Sequence, residues 1–230
     1  MEAARNLPTY EVKFEHFRVG GILYHLRSLL ERQQFSDPDQ VAERLGISPA
    51  SWSLFGVLWP AACVLAEKLS RIDLKGRRVL EVGCGLGLAS LVAHARGADV
   101  TASDIHPLAD SFLRANATLN HLTPIPFHRG DWHIVDPGLG RFDLIVGSDL
   151  LYDRGLPGAL SDHIERHSCG SAEVILVDPD RGLQARFGRM MGVHGFDHAT
   201  LRVARHATAG GSFKGQVHTY SRVRADAAPA

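Results

Sequence analysis

From residue 10 to 18 the chain alternates polar and apolar side chains, as in Glu11-Val12-Lys13-Phe14-Glu15. That is the period of a strand with one buried face. A second apolar-rich run over 22–29 follows the pair Gly20-Gly21, so the two runs predict a hairpin. Ser36-Asp37-Pro38 marks a helix start, a capping oxygen followed by proline in the first turn, and Gly46 ends that short helix. The stretch 47–59 is aromatic and irregular, and Pro60 opens an apolar helix to about residue 69. Strands and helices then alternate. The pattern predicts strands over 78–82, 99–103, 125–128, 142–146 and 173–177, and helices over 86–96, 107–120, 156–167 and 183–191. Two final strands, over 198–204 and 216–223, flank the loop Ala209-Gly210-Gly211-Ser212.

Apolar strands alternating with helices predict an α/β fold, a doubly wound parallel sheet covered on both faces. The two consecutive strands at the end predict an antiparallel pair at one edge. Residues 1–55 read as an N-terminal hairpin and helix extension, too short for a core of their own. Residues 56–224 form the main domain, and 225–230 read as a small, polar, disordered tail.

Composition changes this picture little. The chain has 230 residues, enough for one such domain, and 25 basic residues balance 25 acidic ones. A zero net charge gives no bulk attraction to nucleic acid. The three cysteines, Cys63, Cys84 and Cys169, have no metal or disulfide spacing, which fits a reducing compartment. No signal peptide is expected at the N-terminus, and no apolar run is expected to cross a bilayer, so a cytoplasmic location is the expectation. Two histidine pairs, His163/His167 and His194/His198, are four residues apart. No carboxylate or cysteine completes either pair as a metal site, and they read as solvated side chains.

The chemistry concentrates at Glu81-Val82-Gly83-Cys84-Gly85-Leu86-Gly87, between a strand and a helix. Glycines there allow a tight turn and the close approach of a ligand to backbone amides. A dinucleotide site wants Gly or Ala three residues after its second glycine, where this chain has Leu88. The G-x-G-x-G spacing with Glu81 ahead instead resembles motif I of class I S-adenosylmethionine methyltransferases. Under that resemblance the loop amides hold a carboxylate, and Glu81 helps to orient the ligand's ammonium end. Cys84 reads as a small loop residue more readily than as a reactive thiol. Asp104 ends the second strand about twenty residues on, where an acid takes both ribose hydroxyls.

Gly130-Asp131-Trp132 follows the third strand, and Gly147-Ser148-Asp149-Leu150-Leu151-Tyr152 follows the fourth. Both fall at carboxyl ends of strands, where open α/β sheets bind ligands. Trp59-Pro60-Ala61-Ala62, the glycine loop, Asp104, Trp132 and Asp149-Leu-Leu-Tyr152 together resemble the seven-β-strand protein-lysine methyltransferases. The resemblance runs from about residue 59 to 180 and implies the strand order 3-2-1-4-5-7-6, with strand 7 antiparallel. It implies S-adenosylmethionine as cofactor, with contacts at Trp59, Gly83, Cys84, Gly85, Asp104, Trp132 and Ser148. Glu81, Gly87, Ile105 and Asp131 complete the candidate set. Asp149 and Tyr152 are the candidate catalytic residues, Asp149 accepting a hydrogen bond from the acceptor amine and Tyr152 shaping its channel. A protein lysine is the expected acceptor, with a small-molecule amine or heteroaromatic nitrogen as the alternative. A non-catalytic S-adenosylmethionine-binding module is a further alternative. No Asn-Pro-Pro-Tyr-like motif follows the fourth strand, so nucleic acid is not an expected partner, nor is a membrane. The stretch 33–53 is unusual for that group and Asp178-Pro179-Asp180-Arg181 has no firm counterpart in it; both fall where substrate is expected to bind.

Overall fold

A computed structural model describes residues 10–223; the tail expected at 225–230 lies outside the described residues. Strands β1 (Val12–Val19) and β2 (Ile22–Leu29) form the hairpin, and Gly20 and Gly21 both take positive φ (57° and 84°). Two such residues make the two-residue turn whose twist matches paired strands. The main sheet contains β3 (Arg78–Val82), β4 (Asp99–Asp104), β5 (Phe127–Arg129), β6 (Phe142–Ser148), β7 (Ser168–Asp178), β8 (Asp197–Thr208) and β9 (Gly211–Arg222). Its order is β5-β4-β3-β6-β7-β9-β8, and β9 runs antiparallel to both neighbours. Counted from β3 as the first strand, this is the order 3-2-1-4-5-7-6.

The sheet is buried on both sides because alternate residues of its central strands feed two separate cores. Val79, Val146, Ile175 and Val177 join one core, with α3 (Pro60–Leu69), α4 (Leu88–Ala95) and α5 (Ala109–Leu119). Leu80, Ile145, Val174 and Leu176 join the other, with α6 (Leu156–His167) and α7 (Gln184–Val193). This explains why the strands read as continuous apolar runs.

The hairpin docks on α5 through two asparagines. Asn116 Oδ1 accepts from Arg27 N–H at 2.7 Å, and Asn120 Oδ1 accepts from His25 N–H at 2.8 Å. The Asn120 amide donates back to His25 O at 2.7 Å. One helical turn (~5.4 Å) nearly matches two strand residues (~6.8 Å), so the asparagine pair acts as a third strand beside β2. Tyr24, Leu26 and Leu29 of β2 enter the first core.

Several expectations need correction. The helix expected from Pro38 to Gly46 shrinks to α1 (Val41–Arg44), because the Asp37 carboxylate caps Ala42 and Glu43 from outside it. The irregular stretch contains α2 (Pro49–Trp52) and a 3-10 turn (Ser53–Gly56). The 21 residues Pro49–Leu69 are apolar and long enough to span a bilayer, contrary to expectation. Extended backbone at Val57 and Trp59 breaks the stretch, and half of it is buried in the protein. The Gly-rich loop near 209–212 is a short turn between strands longer than expected. His163 and His167 are buried (2% and 3% exposed) rather than solvated, whereas His194 and His198 lie on different elements.

Candidate functional site

A cavity of about 610 Å³ opens at the carboxyl ends of β3, β4 and β6, in the size range of small-molecule sites. The glycine loop after β3 forms its floor. Gly85 has φ +52°, and a Cβ there would sit 2.8 Å from the Phe55 carbonyl, so only glycine lets the extension approach this closely. Gly83, Cys84, Gly85 and Leu88 line the cavity, and α4 begins at Leu88 with its amides turned toward the loop. Cys84 is buried. Desolvation and the Asp104 and Glu81 charges push its thiol well up, so it is a poor nucleophile.

Asp104 lies beside this loop at the end of β4. Its Oδ2 accepts from Gly85 N–H at 2.9 Å, and its Oδ1 accepts from His106 N–H at 2.8 Å. Burial pushes its carboxyl up, against the hydrogen bonds from His106, Gly85 and Ile105. The carboxylate is thus pinned by backbone while still facing the cavity, which Ile105 also lines.

Two expected members of the site do not line the cavity. Glu81 is 2% exposed and is not a lining residue: its Oε2 accepts from Ser90 N–H at 2.8 Å and from the Ser90 hydroxyl. Glu81 ties β3 to α4 and so holds the loop between them. Burial drives its carboxyl up to about 7 despite the Ser90 bonds. Gly87 is the N-cap of α4 at φ +76°, and a Cβ there would collide with Leu113, so its role is packing.

The end of the extension and the first residues of the main domain together supply a wall of the cavity. Ile47, Leu54, Phe55, Leu58 and Trp59 line it. Trp59 Nε1 donates to Leu54 O at 2.8 Å, which fixes the indole. Phe55 stacks on His106 with ring centres 3.7 Å apart, and Trp52 meets both rings edge-on. His106 is a lining residue that sequence reasoning missed. Burial holds it neutral, with its pKa lowered to about 3. Its Nδ1 accepts from Leu108 N–H, while Nε2 is buried without a partner among the described residues. The Gly-rich turn between β8 and β9 does not line the cavity; Gly210 instead packs against Leu58 and Trp59 from behind.

At the far side stand Asp131, Trp132, Ser148, Asp149 and Tyr152. Arg166 Nη2 donates to Trp132 O at 2.8 Å and anchors that loop to α6. Asp149 has φ +56°, an uncommon conformation for a residue with a side chain, and its N–H donates to Val177 O at 2.8 Å. Burial pushes the Asp149 carboxyl up, the Arg181 guanidinium opposes that, and Asp178 adds to it. Arg181 belongs to the segment expected on the substrate side, but no role was read for it. It lines the same cavity and sits 2.8 Å from Asp149 Oδ1. Tyr152 is 55% exposed at the mouth, and burial of its inner part raises its phenol. Among the described residues no group of three or more His, Cys, Asp or Glu side chains is placed to hold a metal ion.

A family model described as lysine methyltransferase matches residues 48–186. The electron transfer flavoprotein beta subunit lysine methyltransferase of Rattus norvegicus is 32% identical over 147 residues, 60% of this chain and 55% of that protein. A protein N-lysine methyltransferase of Danio rerio is 35% identical over 147 residues, 58% of this chain and 62% of that one. The matched stretch thus spans little more than half the length of these curated relatives. Among solved structures, a Thermus thermophilus 16S rRNA methyltransferase in complex with AdoMet and guanosine superposes with a TM-score of 0.63. That match has 18% identity and covers 95% of this chain and 52% of the other. The Synechocystis magnesium protoporphyrin IX methyltransferase with bound SAM gives 0.54 at 19% identity, over 70% and 77% of the two chains. These likenesses establish the fold, and the family match, which covers more than half the chain and contains most of the cavity's residues, establishes the kinship: this chain belongs to the lysine methyltransferase family.

Proposed function

We propose that this chain binds S-adenosylmethionine in the cavity and methylates the side-chain amine of a lysine in a protein. The observation that carries the reading is one shared cavity: Asp149 and Tyr152 line it together with Gly83, Gly85 and Asp104. The residues present fit the cofactor. Most loop amides are already bonded within the protein; Leu86 and Leu88, at the start of α4, are the lining residues whose N–H groups are offered to its carboxylate, and Asp104 offers acceptors for ribose hydroxyls. Trp132 offers a ring face for adenine, and His106 Nε2 is a buried polar atom lacking a partner among the described residues.

When bound, S-adenosylmethionine supplies a methyl group on a sulfonium, a good leaving group. The chain's own task is then to align and desolvate the acceptor. A lysine amine must be neutral to attack, and its ordinary pKa of ~10.4 is lowered by an apolar surrounding. Trp132, Leu150 and Leu156 provide that surrounding. Asp149 accepts a hydrogen bond from the amine and aims its lone pair, and Tyr152 walls the entry. The acceptors printed in the names of the relatives, proteins methylated on lysine, support the same class of substrate.

The test is methyl transfer from labelled S-adenosylmethionine into cell proteins, with the modified residue located by peptide mass spectrometry. Wild type is expected to label lysine. Asp149→Ala is expected to lose about a hundredfold in turnover, the scale of a misaligned reactant, with S-adenosylhomocysteine affinity retained. Label on a residue other than lysine would overturn the acceptor. Joint loss of cofactor binding and transfer would reduce Asp149 to a folding role.

A further inference from the structure

Asp149 already has a cationic partner. Arg181 Nη2 lies 2.8 Å from Asp149 Oδ1 and 2.9 Å from Oδ2, and both residues line the cavity with Tyr152 and Leu156. The two ends of this ion pair differ. The Asp149 side chain is 13% exposed, whereas that of Arg181 is 46% exposed. The acid is fixed within the site and the cation reaches in from the surface.

The backbone beneath Arg181 is braced. Asp178, 1% exposed, accepts at Oδ1 from Asp180 N–H (2.8 Å), from Arg181 N–H (3.3 Å) and from the Gln184 amide. Gln184 Oε1 in turn accepts from Gly182 N–H at 2.9 Å. Asp180 sits at φ +68° within this turn. The turn therefore has a fixed base, and the long Arg181 side chain is the part free to move. An exposed arginine exchanges rotamers in nanoseconds or less, and its ion pair is only weakly held in water.

Arg181 and an incoming amine compete for the same largely buried carboxylate, and the guanidinium held there repels an approaching ammonium. We infer that Arg181 is a displaceable plug of the acceptor slot: it occupies the place beside Asp149 that the incoming lysine takes, and it leaves when a docked substrate displaces it. The inference rests on the reading that Asp149 receives the acceptor amine. It assigns Arg181 a role in specificity. A protein segment makes contacts outside the slot that offset the lost ion pair, whereas a free small amine makes none. The plug thus biases the site toward lysines on a docked protein and against free amines.

The direct test is binding of n-butylammonium, a lysine side-chain mimic, to the full chain saturated with S-adenosylhomocysteine, followed by titration NMR. Arg181→Ala is expected to bind it up to about fivefold more tightly than wild type, the scale of one released ion pair. Asp149→Ala in the Arg181→Ala background removes the gain, and Arg181→Lys, which keeps a cation in place, stays near wild type. Steady-state methylation of a small lysine ester moves in the same direction, with a lower KM and an unchanged kcat. Retained S-adenosylhomocysteine affinity shows that each variant is folded, and Arg181→Gln replaces the alanine variant if that one is not. Equal amine affinity in wild type and Arg181→Ala, both dependent on Asp149, would overturn the plug and leave the acceptor site standing. Amine binding indifferent to Asp149 in every variant would overturn both.

Discussion

Glu81 offers a quantitative test of how the glycine loop is held. Its carboxyl is wholly buried, bonded to Ser90, and driven by desolvation from an ordinary 4.5 up to about 7. A raised acid pKa means that the folded state favours the protonated form. Its contribution to stability is complete below pH 4.5 and is lost as pH rises through 7. The rise from 4.5 to about 7, at ~1.36 kcal/mol for each tenfold change in proton affinity, sets a ceiling of about 3 kcal/mol. Between pH 5 and 8.5, where the unfolded carboxyl is already largely ionised at the start, most of that is expected to appear. Glu81→Gln keeps the shape and an acceptor for Ser90 N–H but cannot ionise. Urea unfolding of wild type and variant across this range isolates the term, because the buried histidines and other carboxylates cancel in the difference. Glu81→Gln is expected to gain on wild type by about 2–3 kcal/mol from the acidic to the alkaline end. A difference flat to within about 0.5 kcal/mol would refute the argument that Glu81 is a desolvated tie between β3 and α4.

Asn116→Ala removes the hydrogen bonds to Arg27 and leaves Leu86 O without its 2.9 Å partner. It is expected to cost about 1–3 kcal/mol in urea unfolding, with β2 showing faster hydrogen exchange. Trp132→Ala is expected to weaken S-adenosylhomocysteine binding about fivefold by titration calorimetry, the worth of one stacked ring, with little change in Tm. Gly85→Ala meets both a positive φ and the Phe55 carbonyl, and is expected to lose at least about 1 kcal/mol of stability together with cofactor affinity, measured by the same two methods.

Much of the fold was legible because its signals are local. Continuous apolar strands, proline helix starts and the strand–glycine–helix junction all lie within a few residues of one another. The acids at Asp104 and Asp149 were legible for a topological reason: both stand at carboxyl ends of parallel strands, and the structure puts both on one cavity. What escaped was set by tertiary contact. Arg181 meets Asp149 across 32 residues of chain, although its place just after β7 put it at the binding edge of the sheet. His106 enters through a ring stack with Phe55 of the extension, and no periodicity encodes that contact. The wall built by residues 45–59 is held by contacts distant in sequence, among them the packing of Gly56 on Leu29 of β2, the strand that Asn116 and Asn120 dock. Their one-turn spacing was a usable signal that needed the partner strand to be understood. Glu81 suggested a ligand because it stands beside a glycine loop; its place in the apolar run Val79-Leu80-Glu81-Val82 also pointed to a buried acid in need of an internal partner, which Ser90 supplies.

The central claim, that the cavity at the ends of β3, β4 and β6 holds S-adenosylmethionine, is tested most directly by titration calorimetry with S-adenosylmethionine and S-adenosylhomocysteine, using NAD as control and Asp104→Ala as the site variant. The account predicts binding of the first two on the order of micromolar, no binding of NAD, and loss of affinity in the variant. Folded protein that binds neither S-adenosylmethionine nor S-adenosylhomocysteine would contradict it.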